Sequence, residues 1–444
     1  MSKKIRILSA IILAVIIFMD TGFGSGILSK TVNVSGAQKV SSKNDATTVT
    51  GKTLKISKKT RATKEEMISG YNNYALKSLK EAVKGEEKGT NVMISPASLM
   101  FALDMAAAGA NGKTYKQMAN LFRKNATKKD LLSFAKDYRK SLEKSGIMSI
   151  ANSIWINETN LKNNNIKVNE QYLNLVRKYF KAAAASRVFS DSVKEEINSW
   201  ISDKTKGMIK NALDRLSDET LMLIINAMAF EGKWKEEYKD YQIDKNGKFR
   251  NYEGKTEKAK MLSSTEDIYL SSDTAKGFLK YYEGDKYAFM AMLPLDENIS
   301  INDYVASLPD DALEQFYKSR YYQEVITKTP AFKFDYDINL NKMLMNMGMK
   351  KAFTSDADFL SMIDPDTVTP ELSVYISSII QKTHIELDEK GTKAAAVTII
   401  AVDGCIESEP EQPKEVILDR PFVFAIMDTE TGTPVFTGVV NSVK

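Results

Sequence analysis

Between residues 63 and 444 there is no Pro-, Gly- or Ser-rich linker long enough to divide the sequence, and no internal repeat, so the whole stretch has to bury its apolar residues together as one unit. With 43% hydrophobic and 27% charged residues, the chain has ample mass for such a core. Thr63-Lys64-Glu65-Glu66 reads as a capped helix start, and Met67, Tyr71, Tyr74 and Leu79 follow at helical spacing. Helical periodicity returns over residues 99–122 and 170–180. Residues 147–156, 278–282, 287–293, 374–387 and 421–426 read as strands. Strands that arrive late, in no strict alternation with helices, favour an α+β fold over a doubly wound sheet.

Ahead of this unit the composition changes twice. Lys3, Lys4 and Arg6 precede an apolar run over residues 7–19, the charged start and short hydrophobic middle of a secretory signal. The run is shorter than the ~20 residues that span a bilayer comfortably, which favours a cleaved signal over residues 1–26, with an uncleaved membrane anchor as the alternative. Gly22, Gly24 and Gly26 are not a dinucleotide loop, because no βαβ unit surrounds them. Residues 27–62 are dominated by Ser, Thr, Lys, Asn and Gly, a composition that reads as a disordered tether. A secreted or extracellular protein is expected, either free or anchored to the cell membrane.

Most chemistries lack their parts. The 62 basic and 57 acidic residues are too nearly balanced to indicate a nucleic-acid partner. One Cys and one His supply neither a disulfide framework nor a Cys/His metal site, and no P-loop, EF-hand spacing, nucleophile elbow or H-E-x-x-H motif is present. No metal or cofactor is expected. A Cys405/His384 dyad is the one formal route to a hydrolase, but His384 lies in a strand-like run where a structural or surface imidazole is the simpler reading. The chain reads as a binder or inhibitor, not an enzyme.

The most informative segment runs from Asp388 to Pro421. In an extended chain Thr392, Ala394, Ala396, Thr398, Ile400, Val402 and Gly404 share one uncharged face, small at its beginning. Lys393, Ala395, Val397, Ile399, Ala401, Asp403 and Cys405 share the other face, which includes both charges. This is a strand with one buriable side, followed by an acidic, proline-containing stretch from Glu407 to Pro413.

Those residues resemble the hinge and reactive loop of the serpins, and further motifs extend the resemblance over most of residues 63–444. Asn91-Val92-Met93-Ile94-Ser95-Pro96-Ala97-Ser98-Leu99 and Gly109-Ala110-Asn111-Gly112-Lys113-Thr114 are similar to the family's opening signature. Ala151-Asn152-Ser153-Ile154-Trp155, Ile197-Asn198-Ser199-Trp200, Asn226 through Phe230 with Gly232 and Trp234, Ala357-Asp358-Phe359 and Asp419-Arg420-Pro421-Phe422 follow in the family's order. The resemblance implies three β-sheets (a large central sheet A with B and C), eight or nine helices, and an exposed reactive-centre loop.

It also implies a function: a suicide-substrate inhibitor whose loop is cut by a protease and whose hinge then enters sheet A as a new strand, trapping the acyl-enzyme. Gly391, Thr392, Lys393, Ala394, Ala395, Ala396, Val397 and Thr398 are the implied hinge. Lys393 replaces a usually acidic residue, at an outward-facing position. Family spacing from Gly391 puts the cleaved bond at Cys405-Ile406, with Gly404-Cys405 and Asp403-Gly404 as alternatives. Ser95, Ser98 and Asn226 match a cluster controlling the opening of sheet A, with Gln381 where relatives carry His. Trp234 matches the tryptophan beneath the point where the loop first inserts. The implied partner is a target protease, of serine type or alternatively cysteine type, met by a monomer. A non-inhibitory serpin-fold surface or binding protein is the remaining alternative.

Overall fold

A computed structural model describes residues 62–389 and 412–444, together with the backbone of residues 7–20. The hinge Gly391 to Thr398, the bonds around Asp403, Gly404, Cys405 and Ile406, and nearly all of the Ser/Thr/Lys-rich segment lie outside the described residues.

The chain forms β1 (Ile7–Asp20) and β2 (Val92–Ile94), then β3 (Met148–Asn157), β4 (Ala183–Arg187) and β5 (Thr220–Gly232). Four more strands follow, β6 (Ile243–Arg250), β7 (Thr256–Ser271), β8 (Ala275–Tyr281) and β9 (Tyr287–Pro294). The last third contains β10 (Tyr321–Pro330), β11 (Phe332–Asn339), β12 (Ser373–Leu387), β13 (Lys414–Ile417), β14 (Phe422–Asp428) and β15 (Thr433–Val440). Six strands make the central sheet A in the order β11-β12-β1-β5-β3-β4. The others form one continuous ladder that β7 divides in two. The earlier part of β7 pairs with β6 and β10, and β13 lies beside β10, giving sheet C; its end pairs with β8, from which sheet B continues through β9, β14, β15 and β2. Three sheets with helices interspersed are the α+β arrangement expected. Ten α-helices occur among the described residues, more than the family count implies, because Glu158–Asn163 and Asn341–Asn346 each add a short six-residue segment.

Local sequence accounts for most of these elements. The capping box at Thr63 is formed, with its hydroxyl accepting from the Glu66 N–H at 3.1 Å and the Glu66 carboxylate accepting from the Thr63 N–H at 2.8 Å. The periodic stretch over 99–122 is two helices, Pro96–Ala108 and Gly112–Phe122. The break falls at Gly109, where a Cβ would lie 2.2 Å from Met362 Cγ. Asn111 then leaves the helical path to bind Asp358 through both its backbone N–H (2.8 Å) and its side-chain amide (3.1 Å). Periodicity does not register the break, since apolar residues flank it on both sides.

Every residue of helix Pro96–Ala108 is buried, because it lies behind sheet A against β5 and also touches β15. β5 is apolar almost throughout, and its parity divides two cores. Met222, Ile224, Met228 and Phe230 join the main core, while Leu223, Ile225 and Ala227 join a smaller one with Trp155, Ile197 and Ile201. β12 is buried on one face only, through Ile379, Gln381, Thr383, Ile385 and Leu387.

Candidate functional site: the seam of the central sheet

β5 and β12 are not paired with each other; one strand, β1, lies between them and is antiparallel to both. The sequence-derived cluster sits at this seam. Ser95 caps helix Pro96–Ala108 by accepting from the Ser98 N–H (3.1 Å), and its hydroxyl donates to the Val435 carbonyl (2.8 Å). Gln381 of β12 reaches the same residue: its Oε1 accepts from the Ser95 N–H (3.1 Å) and its Nε2 donates to the Ser95 carbonyl (3.2 Å).

On the other side of the seam, Ser98 Oγ donates to Asn226 Oδ1 (2.5 Å). Asn226 Nδ2 donates to Asn152 Oδ1 (2.7 Å), and Asn152 Nδ2 donates to the Phe180 carbonyl (2.9 Å). Ser95, Ser98, Asn226 and Gln381 are each 0% exposed, so every one of these bonds replaces hydration that the burial removed. The first turn of one buried helix thereby holds the two lips of the seam, its N-cap Ser95 holding β12 and Ser98 holding β5. The four residues named from the sequence are brought together. Asn152 was missed as a member; its signal was a second Asn in a largely buried strand, standing directly opposite Asn226 in the β3/β5 register.

Trp234 lies two residues beyond the end of β5 and is almost fully buried. Its indole N–H donates to the Asp388 carbonyl (3.0 Å), at the end of β12 and three residues before Gly391. The ring stacks on Tyr282, with centroids 4.6 Å apart. Lys280 Nζ lies 5.4 Å from the Trp234 centroid and 4.5 Å from that of Tyr238, and pairs with Glu266 at 2.6 Å. Burial pushes the Lys280 pKa down, but the neighbouring Tyr238 and Glu266 outweigh it, and the ammonium is held above its ordinary range. Glu389 is held by Lys260 of β7. The chain is therefore clamped at Asp388 and Glu389, where it leaves sheet A. Lys280 and Glu266 were not legible as members of this site, since each sits in a strand that carries other charged residues.

His384 is placed by β12 on its outer face, where its Nδ1 lies 2.6 Å from Asp335 Oδ1 on β11. Lys333–Glu386 (2.9 Å) and Asp337–Lys382 (3.8 Å) flank it in the same register, so two cross-strand charge pairs and the His384–Asp335 hydrogen bond fasten β11 to β12. Cys405 lies outside the described residues. Among the described residues no group of three or more His, Cys, Asp or Glu side chains could hold a metal ion, and no helix is long and apolar enough to cross a membrane.

Comparison with known proteins agrees with this architecture. The family model described as Serpin (serine protease inhibitor) matches residues 69–443. Serpin-ZXA of Oryza sativa subsp. japonica is 30% identical over 80% of this chain and 90% of its own length; human neuroserpin is 28% identical over 80% and 86%. The crystal structure of tengpin, a thermophilic serpin, in its native state is 32% identical and superposes with a TM-score of 0.73 over 86% of this chain and 95% of that one. With a family match across most of its length and the seam, cluster and tryptophan in place, the chain belongs to the serpin family of protease inhibitors.

Proposed function

We propose that this protein is a secreted inhibitor of serine endopeptidases that acts as a suicide substrate. The observation that carries the reading is the seam: β5 and β12 lie one strand apart, and β12 leads through the Trp234-bound Asp388 into the small-residue hinge from Gly391. A segment that turns back after Asp388 runs antiparallel to β12 and meets the position between the two lips. The target's serine Oγ attacks the carbonyl of Cys405 in the bond to Ile406, forming an ester and releasing the Ile406 amine. Insertion of Thr392, Ala394, Ala396 and Thr398 into sheet A then displaces the acylated protease before water completes hydrolysis. Each ladder hydrogen bond gained contributes roughly 1 kcal/mol net, and apolar burial adds to it. Tengpin has been solved in both a native and a latent state, which supports the reading that this fold holds more than one state.

The test is to mix the protein with a panel of serine and cysteine proteases and run denaturing gels. An SDS-resistant complex, a released C-terminal peptide beginning at Ile406, and a rise in thermal stability after loop cleavage are expected. Plain cleavage across the whole panel with no complex and no rise in stability would overturn the reading.

A further inference from the structure

The strand that fills the seam comes from the apolar segment near the start of the sequence. β1 pairs along its length with both lips: Leu8 opposite Glu386 and Glu231, Leu13 opposite Gln381 and Asn226, Ile16 opposite Ser378 and Leu223. Three features of this register bear on the hinge. First, β1 is antiparallel to β12, the direction that a segment folding back from the end of β12 must also take. Second, it covers the place where such a segment would begin, because Ile7 pairs with Gly232, two residues from Trp234, and Leu8 pairs with Glu386, two residues from Asp388. Third, it passes between Gln381 and Asn226, so both halves of the polar cluster are formed while the seam is occupied. Strands in a sheet lie about 4.8 Å apart, so the space between β5 and β12 takes one strand and not two.

We infer that Ile7–Asp20 is the occupant of the β5/β12 seam in any chain that retains it, held there in competition with the hinge. The run from Ile7 to Met19 carries no charge, as a strand bedded in mid-sheet requires. The chain that keeps this segment is closed to insertion. Loss of the segment, as its signal-like sequence would bring about on export, opens the seam and arms the inhibitor. This inference rests on the proposed insertion of the hinge.

The test uses the full chain and a readout that needs no protease. Backbone hydrogen exchange over residues 7–20 is expected to be slower than in a free peptide of the same sequence by about 100-fold or more. The probe for the seam is a synthetic peptide with the sequence of residues 391–404, followed by mass spectrometry of the complex and by thermal unfolding. The full chain should exclude this peptide. Leu13→Pro and Ala10→Pro, each removing one ladder N–H from the middle of β1, should admit it at least about tenfold faster, with a rise in Tm. Exchange over residues 7–20 at the free-peptide rate overturns the inference, as does uptake of the peptide by the parent chain as fast as by the variants. Peptide uptake by the variants without any protease complex would sink the inhibitory reading while leaving the strand site standing.

Discussion

Gln381 closes a ring on the backbone of Ser95, accepting from its N–H at 3.1 Å and donating to its carbonyl at 3.2 Å, with both residues fully buried. Gln381 therefore fastens β12 to the cap of helix Pro96–Ala108. Gln381→Ala removes both bonds and leaves the Ser95 N–H without this acceptor. A loss of about 1–3 kcal/mol is expected, read as a lower denaturant midpoint.

Trp234→Phe keeps an aromatic ring against Tyr282 but removes the donor to the Asp388 carbonyl. The expected cost is about 0.5–1.5 kcal/mol, together with faster hydrogen exchange at the end of β12. A stability loss with unchanged exchange at residues 385–389 would show that the end of β12 is held elsewhere.

Lys280 and Glu266 are buried together beneath Trp234 and Tyr238. Lys280→Met strands the carboxylate and is expected to destabilise by about 3–5 kcal/mol. Adding Glu266→Gln should recover most of that loss. The double-mutant cycle measures the coupling, and additive losses would rule the pairing out as their cause.

Asp104 lies in the fully buried helix Pro96–Ala108, and neither of its carboxylate oxygens has a hydrogen-bond partner among the described residues. Burial raises its pKa well above the ordinary 3.8. The folded state therefore holds a proton that the unfolded chain releases above that value. The associated stability is complete at pH below 3.8 and is lost as pH rises toward the folded pKa. Asp104→Asn removes this dependence. Relative to the variant, the parent should lose up to about 1.4 kcal/mol per pH unit across that window, and parallel stability curves from pH 4 to 8 would contradict it.

Much of the fold was legible before any coordinates. Capping at Thr63, the apolar run of β5 and the alternation in β12 are local properties, and each reports the surroundings its own element requires. Ser95, Ser98, Asn226, Gln381 and Trp234 could be named because they lie within ordered motifs. Their bonds could not, because Ser95 and Gln381 stand 286 positions apart and nothing local records which buried acceptor meets which donor.

The same limit explains the N-terminal segment. An uncharged apolar run satisfies the requirements of a secretory signal and of a central strand equally well, so its sequence settled only that it must leave water. Its place was decided by the two unpaired ladders facing each other across the seam, which any segment of the right length and direction can satisfy. The sequence by itself determined the serpin architecture and a segment after Gly391 whose alternate residues are small and uncharged. Which strand lies between β5 and β12 was decided only in three dimensions, where backbone hydrogen bonding is indifferent to the identity of the segment that supplies it.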